Sequence, residues 1–459
     1  MYISKYGQSW SDVCLAILLF SLFCSTLVIP DGFGGFAALL LLFCSIGLLV
    51  RRLQGKPHQV KSNPKFNIGE PSSVASQADS SLAVQQLTPL NKWEKYWLYA
   101  LALFFASNVL SILVKPYDQW EWTNLDVPLR FLLVIPVFLY LRKAPGHPAA
   151  FWVGIVLGAV AAGSYALYQK IAQHSIFATG TANHHIVFGD VALTLGFLSL
   201  LSKDYFQRYR WGWLLPILGF LGGLIGSVLS GARGGWIAVP LLAVLLLWYY
   251  RDRLSLVPVL LGTVLTVGAC ISAYHAPATN IKARIMTAIH ETQAYLRGEN
   301  FGGSLPQRYE MFKSAWLMFM EKPILGVGTD AYPVEVKRLW QEGKVQRIGA
   351  ALVHPHNDYL SALAMRGAVG FFSLMLLFAL PIFYLWPLLS KAGVKLYAMA
   401  GITVNVAYMQ FALSEAILDR MLSLMFYLFV MAVIFSFVRV SIDASQGSNA
   451  AQPNEEASG

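Results

Sequence analysis

Charge is scarce in this sequence. Of 459 residues only 13% are Asp, Glu, Lys or Arg, while 56% are hydrophobic. An ordinary soluble domain is about 25% charged. A soluble fold could not hide so much apolar surface, because even a large domain leaves much of its surface in water. A soluble enzyme, a disordered regulator and a secreted disulfide scaffold are therefore excluded. Cysteine is scarce as well. Cys14, Cys24, Cys44 and Cys270 all lie in apolar runs with no ligand-like spacing, and read as small hydrophobes within helices. Acidic residues are the rarer sign, 24 against 34 basic ones, for a net charge of +10. No basic face with interleaved aromatics accompanies that excess, so a nucleic-acid partner is not indicated. Cytoplasmic loops of a membrane protein retain Lys and Arg, which accounts for it.

What the chain has in quantity is long apolar runs, such as Val13–Ile29, Phe36–Val50 and Trp236–Tyr250. Each is close to the length of a membrane-crossing helix. The pattern predicts an all-α, polytopic integral membrane protein with about twelve transmembrane helices. The expected spans are 13–30, 33–50, 95–114, 128–141, 149–170, 186–201, 213–230, 235–250, 256–275, 368–389, 396–413 and 421–438. With the N-terminus in the cytoplasm, eighteen of the 34 Lys and Arg fall on cytoplasmic segments and five on short outer loops and span ends. That asymmetry supports both the count and the orientation. The first span is long and lacks a small-residue cleavage site, unlike a signal peptide. The chain then divides into helices one and two (1–53), a flexible cytoplasmic loop (54–92), helices three to nine (93–275), an outer helical subdomain (276–366), helices ten to twelve (367–440) and a disordered cytoplasmic tail (441–459).

Within the outer segment, Asn280–Leu296 places Ile281, Ile285 and Ile289 on one helical face. Ser304-Leu305-Pro306-Gln307 reads as a capping box that starts a helix running to about Glu321. Gly326-Val327-Gly328 reads as a tight turn, and Tyr332–Gln341 as a third short helix. The aromatics Tyr309, Phe312, Trp316 and Phe319 read as packing groups and interfacial anchors.

Several residues on the outer side suit chemistry. Arg233 lies in Ser230-Gly231-Ala232-Arg233-Gly234-Gly235, a tight turn between two spans. It either snorkels to headgroups or meets a ligand anion, and the three glycines favour close approach by a phosphate. Arg308 is expected in the first turn of its helix, where a cation is unfavourable unless an anion, Glu310 or water offsets it; taken alone it reads as a surface arginine. His354-Pro355-His356-Asn357-Asp358 is expected to open a helix ending near Arg366 with Gly367 as its cap. His356 would sit in the first turn, where the helix dipole favours a neutral imidazole able to accept a proton. His354 and Asp358 would share a face. A zinc reading of His-x-His-x-Asp is disfavoured because Tyr359 stands where a further His would be expected. Asp190 enters a span just after His184-His185. It is either functional or a helix-holding partner for an arginine such as Arg233. A transporter would also suit twelve spans and Asp190, but not so large a histidine-bearing outer segment.

In order along the chain come Arg233 in Ser-x-x-Arg-Gly-Gly, Arg308 before an amphipathic helix, Pro323-x-x-Gly-x-Gly, and His356-Asn357-x-x-Leu360. This series resembles the O-antigen ligase and polymerase superfamily, most of all the ligases. The resemblance covers the chain from about residue 150 onward. It implies a GT-C-like glycosyltransferase in the bacterial inner membrane, with both termini cytoplasmic and the 276–366 subdomain periplasmic. It further implies a glycan donor on undecaprenyl pyrophosphate, a lipid A–core acceptor, membrane lipids as surroundings, and inverting transfer with no cofactor and no metal. On it, Arg233 and Arg308 would hold the donor pyrophosphate and His356 would be the base, with His354, Asn357, Asp190 and His185 as supporting residues. Polymerases and protein O-oligosaccharyltransferases share these motifs.

Overall fold

In lipid a backbone must satisfy its own hydrogen bonds, so each apolar run closes into a helix. The computed structural model describes residues 10–54, 89–115, 120–182, 184–253, 281–299, 303–329, 331–347 and 354–450, and these are all-α. The first group of helices is α1 (Trp10–Ser25), α2 (Gly32–Gln54), α3 (Lys92–Leu113), α4 (Asp126–Leu141), α5 (Pro148–Ile171), α6 (His185–Leu201), α7 (Leu214–Ser230) and α8 (Ala238–Tyr250). Three helices of the polar segment follow: α9 (Ile281–Leu296), α10 (Ser304–Glu321) and α11 (Tyr332–Gln341). The chain then returns to apolar helices α12 (Asp358–Leu385), α13 (Lys395–Phe411) and α14 (Met421–Ala450). Among the described residues eight helical segments are long and apolar enough to cross a bilayer, and two shorter apolar helices accompany them. The protein is a polytopic membrane protein.

Eleven of the expected spans coincide with helices. The ninth, 256–275, lies outside the described residues, as do Cys270 and residues 55–88. The tail departs from expectation: α14 continues to Ala450, past the expected end at 438. An Arg439 Nε–Asp443 Oδ2 pair at 3.0 Å, one turn apart, supports the extension.

The glycines at 219, 222, 223 and 226 bring α7 against α5 and α6. A Cβ on Gly222 would lie 2.6 Å from the Ala159 carbonyl oxygen, and one on Gly223 would collide with Ala192 and Gly196. Small residues let backbones approach where lipid supplies no hydrophobic drive between helices. α14 is among the most buried helices, with every residue from Phe426 to Ser436 buried. A helix apolar on all sides belongs in such a place.

α12 breaks at Gly367, whose φ of 61° and ψ of −158° are not helical. The expected stop near Arg366 is therefore present, although the chain continues as helix beyond it. The turn 323–328 supplies the partners that the break releases. Val327 N–H donates to Ala364 O at 2.9 Å and Gly328 N–H to Met365 O at 3.0 Å, while Ala368 N–H donates to Pro323 O at 2.8 Å. The polar segment is thereby docked on α12, and Ala364 and Met365 join its small core of Met318, Val327, Tyr332, Val336 and Leu339. Gly326 has φ +70° and its Cβ position is filled by the Met365–Arg366 peptide. Gly326→Ala should therefore cost about 1–3 kcal/mol from backbone strain alone. A melting temperature in detergent that does not fall would refute this docking role.

The expected capping box of α10 does not form. Gly303 is the cap residue, with no side-chain bond. Glu291 of α9 takes the role instead, its Oε2 accepting from Leu305 N–H at 3.3 Å. A carboxylate from outside satisfies the orphan donors and the dipole at once. Ile285 and Ile289, on the expected apolar face of α9, are 43% and 48% exposed and not covered by protein.

Candidate functional site

The α13–α14 connection folds back over the start of α12. Asp358 N–H donates to Ala412 O at 2.9 Å. The Asp358 carboxylate accepts from Ile417 N–H at 3.0 Å and Leu418 N–H at 3.2 Å. Asn357 is the N-cap of α12: its Oδ1 accepts from Leu360 N–H, and its Nδ2 donates to Leu413 O, both at 2.9 Å. So Asp358 is held by the connection and does not meet His354. His356 lies just before the helix, not in its first turn, with φ +46°.

That placement sets His356 against a residue 59 positions away. Its Nδ1 is 2.8 Å from Glu415 Oε2. A carboxylate accepts, so Nδ1 carries the proton and Nε2 keeps its lone pair. The imidazole is 30% exposed and the Glu415 side chain 0%. The reactive nitrogen is thus reachable while its partner is shielded. Burial alone would push the Glu415 carboxyl up. The His356 hydrogen bond, together with positive charge on His356, Arg420 and His354, outweighs it and holds the group at about 2.

Arg420 Nη2 lies 3.3 Å from Glu415 Oε1 and 3.2 Å from His354 Nε2. His354 Nδ1 in turn faces His356 N–H at 3.3 Å. A neutral imidazole has one acceptor nitrogen, so only one of the two His354 contacts is a hydrogen bond in either tautomer. Burial, with the His356 and Arg420 charges, pushes the His354 imidazolium pKa down. Both His354 nitrogens face donors, which leaves His356 as the better base. His354, His356 and Glu415 offer ligand atoms within 4.8 Å of one another, close enough to surround a metal ion. Arg420 is hydrogen-bonded into that group, and its charge would oppose a cation there.

The Arg233–Ile237 turn reaches the same place. Gly231, with φ +69°, ends α7. A Cβ on Gly234 would collide with Ser414, the neighbour of Glu415, and one on Gly235 with the Asp190 carboxylate and Phe411. Gly234 is thus needed for contact with the α13–α14 connection, and Gly235 for contact with α6. Arg233 is exposed and, among the described residues, its guanidinium has no hydrogen bond or ion pair. It is not paired with Asp190, whose two buried carboxyl oxygens likewise have no partner there. Arg308 is half-buried in the second turn of α10. No contact among the described residues ties it to His356.

His185 holds structure: its Nδ1 donates to Ser230 O at 3.0 Å and its ring stacks on Phe177. His184 caps α6 by accepting from Val187 N–H at 3.5 Å. It also lines a cavity together with Arg420. Sequence reading missed Glu415, counted Arg420 only as a loop charge, and gave His184 no role of its own. A carboxylate between two apolar spans, one of only two in that connection, was the available signal for Glu415.

Residues 218–375 match the family model described as O-antigen ligase. That segment holds Arg233, Arg308 and His356 and stops short of Glu415 and Arg420. An uncharacterized protein of Haemophilus influenzae is 27% identical over 345 residues, which is 73% of this chain and 84% of that protein. The part of the chain similar to the O-antigen ligase family thus runs from within α7 to beyond the break in α12.

Proposed function

We propose that the protein is a glycosyltransferase of the inner membrane that passes a glycan from undecaprenyl pyrophosphate to a sugar hydroxyl of lipid A–core at the periplasmic face. The carrying observation is His356, with Nε2 open and Nδ1 bonded to buried Glu415. In this reading Nε2 takes the proton of the acceptor hydroxyl. The hydroxyl oxygen bonds to the anomeric carbon from the face opposite the leaving group, which inverts the configuration. The bond from that carbon to the pyrophosphate oxygen breaks, and its electron pair leaves with the pyrophosphate. Arg233, unpaired beside the Glu415 segment, neutralises the developing charge, joined by Arg308 from the polar segment. Two guanidiniums supply the positive charge a metal would otherwise give. Both termini lie in the cytoplasm, residues 276–366 in the periplasm, and the arrangement is GT-C-like.

The test is purified protein, lipid-linked glycan and lipid A–core, with no membrane gradient and with a chelator in one arm. Covalent product at an unchanged rate in both arms is expected. Product only with a peptide acceptor, or only donor polymerisation, would replace the ligase by another member of the superfamily. Product lost to the chelator would restore the metal reading. Within that assay Arg233→Lys should lose nearly as much rate as Arg233→Ala, because the planar fork is lost with the charge retained. Full activity in the lysine variant would reduce the role to simple charge.

A further inference from the structure

A cavity of about 440 Å³ opens beside the site, between the α1–α2 turn and the starts of α4, α6 and α14. That volume is in the range of small-molecule sites. Its polar lining includes Asp31, His184, Asp419 and Arg420, and Phe33 and Met421 contribute apolar wall. Arg420 connects it to the reaction centre, since the same guanidinium contacts His354 and Glu415. Arg420 Nε, shielded from solvent, has no partner among the described residues.

The lining decides between occupants. Two carboxylates would repel a pyrophosphate, whereas Arg233, which does not line this cavity and whose neighbour Gly234 packs on Ser414, is an unpaired cation among the described residues. Carboxylates accept from sugar hydroxyls, and guanidinium N–H groups donate to them. His184 accepts through Nδ1, so its proton resides on Nε2 and is available as a second donor. Apolar wall suits the C–H face of a pyranose ring.

We propose that this cavity is the acceptor-sugar subsite, in which Asp31 and Asp419 accept from hydroxyls of the acceptor and Arg420 and His184 donate to them, placing one hydroxyl beside His356. The inference rests on the glycosyl-transfer reading above and adds which substrate sits where.

The experiment uses the full-length protein and measures direct binding of purified lipid A–core, alongside KM for lipid A–core and for the lipid-linked donor. Asp31→Asn and Asp419→Asn should each weaken lipid A–core binding and raise its KM about tenfold, a size typical of one lost charge-assisted hydrogen bond. KM for the donor should stay within about twofold. Asp31 lies in an exposed turn, so a folding failure of the Asp419 variant would leave Asp31→Asn to decide. Unchanged lipid A–core binding in folded Asp31→Asn would overturn the subsite, and so would a rise confined to the donor KM, which would assign the cavity to the donor. Absence of product from wild type would overturn the ligase reading instead. The binding measurement would then still decide the cavity.

Discussion

His356→Ala should lose about 10²–10⁴-fold in transfer rate, the usual cost of removing a positioned general base, while still binding the lipid-linked donor. The two nitrogens of the imidazole are placed asymmetrically. One nitrogen is committed to a buried carboxylate and the other is open at a partly exposed edge. His354 lacks that asymmetry, because both of its nitrogens face donors. His354→Ala should therefore be milder, with its effect on the placement of Arg420 and the His356 backbone. The backbone of His356 needs care in the test, since its φ of +46° is costly for alanine. His356→Asn tolerates that conformation and cannot act as the base. Loss of rate in both variants is expected, with the melting temperature of the Asn variant near wild type. Near-normal transfer by His356→Asn would remove the residue from the mechanism.

How much of this could be read from residues alone depended on distance along the chain. Helices follow from local runs of apolar residues, so eleven expected spans fall on helices. The turn at Gly326-Val327-Gly328 and the break at Gly367 were legible because glycine at positive φ is a local requirement. His356-Asn357 was visible as polar residues ahead of an apolar helix. Its position was misjudged by a turn, because Asn357 rather than Pro355 proved to open the helix. Glu291 at the start of α10 and Glu415 beside His356 were not legible in that way. Each acts on a partner brought near by tertiary packing, and no local spacing announces it. The glycines beside Arg233 carried a second meaning that sequence did not announce, a close approach to Ser414 and Asp190.

Glu415→Gln should lower the transfer rate by on the order of 10²-fold with little change in donor KM. The amide can donate to His356 Nδ1, which would place the ring proton on Nε2 and remove the lone pair that catalysis uses. It also removes the charge that stabilises the imidazolium formed as the hydroxyl loses its proton. Glu415, held at about 2 against an ordinary 4.5, stays ionised throughout the assay range. The same depression makes a stability statement. Ionised Glu415 stabilises the fold fully above 4.5, and that contribution is lost as pH falls toward 2. Glu415→Asp keeps the charge on a shorter side chain and should recover part of the rate. A Gln variant whose melting temperature falls along with its rate, with no recovery of rate in Glu415→Asp, would assign Glu415 to packing alone.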